Sequence, residues 1–241
     1  MILDELFMFD SIELSNKIEK MVMKDNLKKY YRFRPTRFYG GIATADTVGC
    51  NLRCRFCWSS NSVWNTNSTG KFYSSQEVAD KIQDIAIKKG YHRLRISGGE
   101  PTIGKEHLLN ILKKIKTNYV FILETNGILL GYDDSYIDDL SVFRNLHVRV
   151  CLKGADSEEF SLFTGAKTGF EYQMKAISLL KEKKISYNIA LVSNNYEKKQ
   201  RLFDRLKVMD MDNVMIEDEE ILLYPFVRKR LSEYNLLQYF S

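Results

Sequence analysis

Short apolar runs alternate with longer amphipathic stretches along most of this chain. GIATADTV (41–48), HRLRIS (92–97), YVFILE (119–124), LHVRVCL (146–152), SYNIALV (186–192) and NVMIE (213–217) read as strands. Between most of them lie helical patterns. SSQEVADKIQDIAIKKG (74–90) opens on a serine cap and closes on Gly90. EHLLNILKKIK (106–116) and YQMKAISLLKEKK (172–184) carry apolar residues three and four apart, and EKKQRLFDRLKV (197–208) does so less cleanly. A polar helix over about Ser11 to Lys29 precedes the first run. Six strand–helix alternations predict an α/β fold of parallel strands with right-handed crossovers. Eight units would close a full barrel, so a partial (β/α)6 barrel or an open doubly wound sheet is expected.

The polar residues then fall on one edge. CNLRCRFCW (Cys50–Trp58) follows the first run and SGGEPT (Ser97–Thr102) the second. ETNG (Glu124–Gly127), CLKGAD (Cys151–Asp156), SNN (Ser193–Asn195) and EDEE (Glu217–Glu220) close the remaining four. Parallel-strand enzymes build their sites at carboxyl strand ends, so six such loops on one edge argue for an active site.

Composition narrows the setting. With 241 residues, 44% of them hydrophobic, one core and one domain suffice. No apolar run is long enough to span a bilayer, and the acidic start MILDELFMFD is unlike a secretion signal. A cytoplasmic location without membrane association is expected, and four cysteines there do not form a disulfide framework. The net charge of +5 is mild. Its one local concentration, KKYYRFRPTRF (Lys28–Phe38), reads as a solvated surface, with a nucleic acid or acidic protein as a weaker alternative.

Cys50, Cys54 and Cys57 form a C-x3-C-x2-C run. Three clustered thiolates suit an iron–sulfur cubane with one iron left open for a substrate, since such clusters otherwise take four cysteines. The alternative is zinc completed by Cys151, His92, His107 or His147, but no second ligand pair stands at a usual zinc spacing.

The cysteine run, with Phe56 before its last member, and GGEP (Gly98–Pro101) together resemble the two signature motifs of the radical S-adenosylmethionine (radical SAM) superfamily. The resemblance covers about Gly41 to Pro225 and implies a partial barrel. Residues 1–40 are then an N-terminal helical extension and 41–241 the radical SAM core domain. It further implies a [4Fe-4S] cluster on Cys50, Cys54 and Cys57, with S-adenosylmethionine chelating the open iron. Gly98, Gly99 and Glu100 would bind the SAM amino group, Phe56 would lie near the adenine, and a side chain at Gly99 would fill space the ligand needs. The implied oxidoreductase chemistry is anaerobic. An electron from a donor such as flavodoxin or ferredoxin cleaves SAM to methionine and a 5′-deoxyadenosyl radical, which takes a hydrogen atom from a substrate.

LETNG and CLKGADSEEFSLFTG further resemble the pyruvate formate-lyase activating enzyme subgroup, which implies that Thr125, Asn126 and Lys153 lie near SAM. Cys151 stands where that subgroup carries an aspartate that helps hold a cation, which puts such a cation in doubt. Strand alternation turns His147, Arg149, Cys151 and Lys153 toward the lumen and Val148, Val150 and Leu152 toward the helices. Cys151 is therefore the candidate catalytic residue, as hydrogen donor or radical, against simple packing. The same parity makes Asn188 a candidate SAM contact. Arg149 either holds an anionic substrate group or pairs with an acid from another strand.

Three functions follow. The first is an activase-like enzyme acting on a protein. The second is radical SAM modification of RNA or a small metabolite. The third is a non-enzymatic iron–sulfur redox protein, against which GGEP and ETNG speak, because electron storage needs no SAM pocket.

Overall fold

A computed structural model describes residues 8–240. Helix α1 (Ser11–Val22) starts at Asp10, whose carboxylate accepts from the backbone N–H groups of Ile12 and Glu13. It ends at Val22, earlier than the polar pattern suggests. Strand β1 (Met23–Lys24) turns at once into β2 (Leu27–Thr36), so the basic stretch expected to be partly helix and partly solvated surface is a ten-residue strand. Its cations are used internally. Arg32 and Arg34 both pair with the buried Asp46 at 2.7 Å. Lys29 donates to the carbonyl of Thr66, and Lys28 to those of Glu100, Pro101 and Ile103.

Strand β2 runs antiparallel to β3 (Ile42–Thr47). After β4 (Lys71–Tyr73), which pairs with β2, come β5 (Arg93–Gly98), β6 (Val120–Thr125), β7 (Leu146–Leu152), β8 (Ser186–Leu191) and β9 (Ile216–Asp218). From β3 through β9 every neighbouring pair is parallel, and the strands lie side by side in chain order. A doubly wound sheet reverses its order partway. This one does not, so the singly wound partial barrel stands and the doubly wound alternative falls. All six expected strands are present, within a few residues of their expected bounds.

The crossovers follow from the pattern. Helix α3 (Ser75–Lys89) has a complete capping box between Ser74 and Glu77 and ends on Gly90, as its sequence predicts. Its buried Val78, Ala79, Ile82 and Ala86 face the sheet. The short α2 (Ser60–Trp64) lies between β3 and β4, and α4 (Lys105–Leu112), α5 (Ile128–Tyr132), α6 (Asp134–Leu140), α7 (Ser157–Thr164), α8 (Phe170–Glu182) and α9 (Tyr196–Val208) follow α3 between the later strands. Leu94, Ile96, Phe121, Leu123, Val148 and Val150 point toward these helices and are buried, each contributing about 1.5–3 kcal/mol. The intervening residues face the opposite side, where the candidate chemistry gathers. Among the described residues, no helix is long and apolar enough to cross a membrane.

Candidate active site

One cavity at the carboxyl ends of β3, β5, β6 and β7 is lined by Cys50, Cys54, Cys57, Phe56, Gly98, Gly99, Glu100, Thr125, Asn126, Cys151 and Lys153. The loops read separately in the sequence therefore meet. Asn188 is the exception. It is level with the lining residue Arg149, but its amide donates to Glu217 at 2.8 Å and its carbonyl faces His147 at 2.9 Å, so its polar atoms are held by neighbouring strands.

A buried polar network locks three of these loops together. The Glu100 carboxylate accepts from Thr102 N and Oγ1 (3.0 and 2.6 Å), Thr125 Oγ1 (2.6 Å) and Asn126 N (2.9 Å). Asn126 in turn donates to Asn51 beside the first cysteine, at 2.7 Å. Gln173 of α8 donates to the carbonyls of Asn126 and Cys151. The Glu100 side chain is thus held by four protein donors, at the edge of the cavity that Gly98 and Gly99 also line. Glu100→Gln replaces one acceptor oxygen by a donor facing donors. It should cost about 2–3 kcal/mol, seen as a lower midpoint in urea denaturation.

The cysteines suit the cluster expected of them. Burial pushes the Cys50 thiol up to about 12, and it raises Cys54 and Cys57 as well. Left alone, these sulfurs stay protonated; iron would supply the charge that ionises them. Cations stand ready to share that load, since Lys153 lowers both Cys54 and Cys57, and Arg230 and Arg53 lower Cys57. Among the described residues no three His, Cys, Asp or Glu side chains gather about a single ion. Two of the three histidines weighed for zinc are engaged elsewhere, His107 with Asn26 and His147 with Ser186 and Asn188.

Above the cysteines the lumen is a lattice of paired charges. Glu124 accepts from Arg95, Ser97 and Tyr39 at 2.9, 2.9 and 3.1 Å. Arg149 bonds Glu217 and Glu219 at 3.0 and 2.9 Å, so it takes the second of its two expected roles. Its Nη1 also reaches 3.4 Å from Cys151 Sγ, and burial raises that thiol to about 11. Burial works against the Lys153 ammonium, but Cys151, Glu219 and Cys54 outweigh it and hold its pKa above that of an ordinary lysine. Lys153 is therefore a full cation, 5.8 Å from the Phe56 ring, suited to an anionic cofactor group. Sequence reasoning placed Glu124 and Glu217–Glu220 on this edge without naming their partners, and it gave no role to Asn51 or to Lys28 by itself.

Residues 44–206, more than half of the chain, match the Radical SAM superfamily. A probable GTP 3′,8-cyclase of Methanococcus aeolicus is 26% identical over 200 residues, covering 78% of this chain and 63% of its own length. The solved structure of native anSMEcpe with bound AdoMet superposes with a TM-score of 0.53 at 24% identity, over 79% of this chain and 57% of the other. Streptococcus suis SuiB bound to precursor peptide SuiA gives 0.60 at 18% identity, over 82% and 46%. This chain thus spans less than two thirds of the length of each. The likenesses reach the superfamily and not the activating-enzyme subgroup. Motifs, singly wound sheet and family match agree that this chain belongs to the radical SAM superfamily, whose cofactors are a [4Fe-4S] cluster and S-adenosylmethionine.

Proposed function

We propose that this chain is a radical SAM enzyme that takes a hydrogen atom from a C–H bond of a protein segment laid across the carboxyl edge of the barrel. The observation that carries the reading is the single cavity shared by the three cysteines, the GGEP turn and Thr125–Asn126. When bound, the cluster and SAM supply one-electron reduction and hydrogen-atom abstraction. The chain's own residues do the rest. Cys50, Cys54 and Cys57 would hold the cluster, and Lys153 would offset a carboxylate. The apolar Phe56, Leu52 and Val63 in the lining keep water away from the reacting centre. A reduced flavodoxin or ferredoxin is the expected electron source.

The rim supports a peptide-like substrate. Tyr39, Trp58 and Leu222 are exposed around it, beside Glu124, Glu219 and Glu220. Exposed aromatic and apolar side chains interleaved with hydrogen-bonding groups suit a polypeptide. A nucleotide is the second reading, favoured by the likeness to a probable GTP 3′,8-cyclase. Against it, Arg95 and Arg149 are already neutralised by carboxylates, whereas a triphosphate needs free cations. The test is anaerobic turnover with dithionite and SAM, with a deuterated cell-protein fraction or with deuterated GTP. Deuterium in 5′-deoxyadenosine from the protein fraction supports the proposal; deuterium from GTP overturns its substrate. No SAM cleavage under strong reduction overturns the enzyme itself.

Cys151 lines the cavity and is the proposed hydrogen donor to the substrate radical, on the face opposite the abstraction, so that the product is the substrate with that carbon inverted; the electron donor and a proton restore the thiol. Cys151→Ser should keep iron content, SAM binding and uncoupled SAM cleavage, but lose product, because an O–H bond is much harder to break homolytically than S–H. Product formation within a few-fold of wild type would reduce Cys151 to packing.

A further inference from the structure

The three cysteines present their sulfurs to the cavity, while their backbone carbonyls are held from behind by two arginines. Arg53 Nη1 donates to the carbonyls of Cys50 and Leu52 at 2.7 and 2.8 Å. Arg230 Nη1 donates to those of Cys57 and Cys54 at 3.0 and 3.4 Å, and its Nη2 to Ser60 Oγ at 2.9 Å. Both guanidinium groups lie over the ring of Trp64, at 5.9 and 4.5 Å from its centre. Arg53 sits inside the cysteine run itself. Arg230 arrives on helix α10 (Pro225–Glu233), which Val227 and Leu231 anchor to the core. Arg53 thus spends its hydrogen bonds on carbonyls and Arg230 on carbonyls and a hydroxyl, and among the described residues neither is paired with a carboxylate.

We propose that Arg53 and Arg230 are positioning residues for the iron–sulfur cluster: they fix the backbone of all three ligands and, through their charge, raise its reduction potential. The inference rests on the radical SAM reading above. Its physics has two separable parts. A planar guanidinium fixes the direction of the N–H bonds on Nη1, which here reach two carbonyls at once, as an ammonium on a flexible stem does less well. Charge acts differently. Reduction adds one electron to the cluster, and a half-buried cation behind it favours that electron. The carbonyls of Cys50, Cys54 and Cys57 would otherwise point their negative ends at the same region. Stacking on Trp64 holds both cations in place.

The two parts give different results on substitution. The experiment is a redox titration of the anaerobically reconstituted full chain, followed by electron paramagnetic resonance, with iron content measured on the same samples. Arg230→Gln should shift the midpoint potential to more negative values. Arg230→Lys, which keeps charge and loses the fork, should hold the potential near wild type while lowering the iron retained after gel filtration. An unchanged potential in Arg230→Gln, or equal shifts in the glutamine and lysine variants, overturns the inference. If Arg230→Gln retains no iron, Arg53→Gln at the Cys50 end carries the same expectation and the same refutation. A wild-type protein that takes up no iron–sulfur cluster refutes the underlying reading and the inference with it. A normal wild-type cluster with charge-independent potentials refutes the inference alone.

Discussion

Replacing Cys50, Cys54 or Cys57 with alanine will abolish the iron–sulfur cluster. Wild-type protein reconstituted without oxygen should hold about four iron and four sulfide per chain, the content of one cubane; each single variant should hold close to none. The effect is large because every thiolate serves its own iron, so losing one leaves a corner of a buried cluster unligated. No spare ligand replaces it. Cys151 shares the cavity, but its backbone is fixed in β7 by parallel pairing with Ala190 of β8, and Gln173 holds its carbonyl. Folding itself should survive, since deleting one sulfur from a core of this size costs on the order of 1 kcal/mol. Loss of iron with a nearly unchanged urea midpoint is the combined signature. Stoichiometric zinc with no iron uptake by the wild type would defeat the assignment.

Much of this site was legible because its geometry is local. Alternation along 146–152 needs only the two-residue period of a strand to send Arg149, Cys151 and Lys153 to one face. The Ser74 cap and Gly90 stop lie within the helix they bound. Failures came where a partner was distant or a turn was overlooked. The helix drawn to Lys29 runs through Asp25 and Asn26, where the chain turns from β1 into β2 with Asp25 at φ 53°. An Asp-Asn pair before a stretch rich in aromatics was the missed signal, since both residues tolerate left-handed turns. Lys28 could not be read at all. Its ammonium is buried because three carbonyls more than 70 residues away surround it. Burial pulls its pKa down to about 7, with the charge of Glu100 acting the other way. Asn188 lies on the expected face, but its bonds to Glu217 and His147 join separate strands, and no periodicity reports such partners.

Gly99→Ala will disrupt SAM binding and the cysteine loop together. The sequence suggested that a side chain here would fill space the ligand needs. The geometry gives another reason and a wider effect. A Cβ built on Gly99 would lie 2.0 Å from the carbonyl oxygen of Gly49 and 2.9 Å from its carbonyl carbon. That carbonyl accepts from Glu100 N at 2.7 Å, while Gly99 N donates to Thr47 O at 2.9 Å. The two loops are thus laced at van der Waals limits, and backbone cannot swing aside as a flexible side chain can. Relief requires moving Gly49, which directly precedes Cys50, or moving the GGEP turn. Either shift breaks the bond from Glu100 N and misplaces the groups around the cavity. The cost should be about 3 kcal/mol, at the upper end of overpacking, measured by urea denaturation. SAM affinity should fall at least as far in equilibrium dialysis, and iron retention should drop with it. Gly90→Ala is the control. Gly90 has φ 67° but nothing within 4 Å of an added Cβ, so it should lose only about 1 kcal/mol, through backbone strain. If Gly99→Ala loses no more stability than Gly90→Ala and binds SAM normally, the close approach of the two loops does not hold the site together.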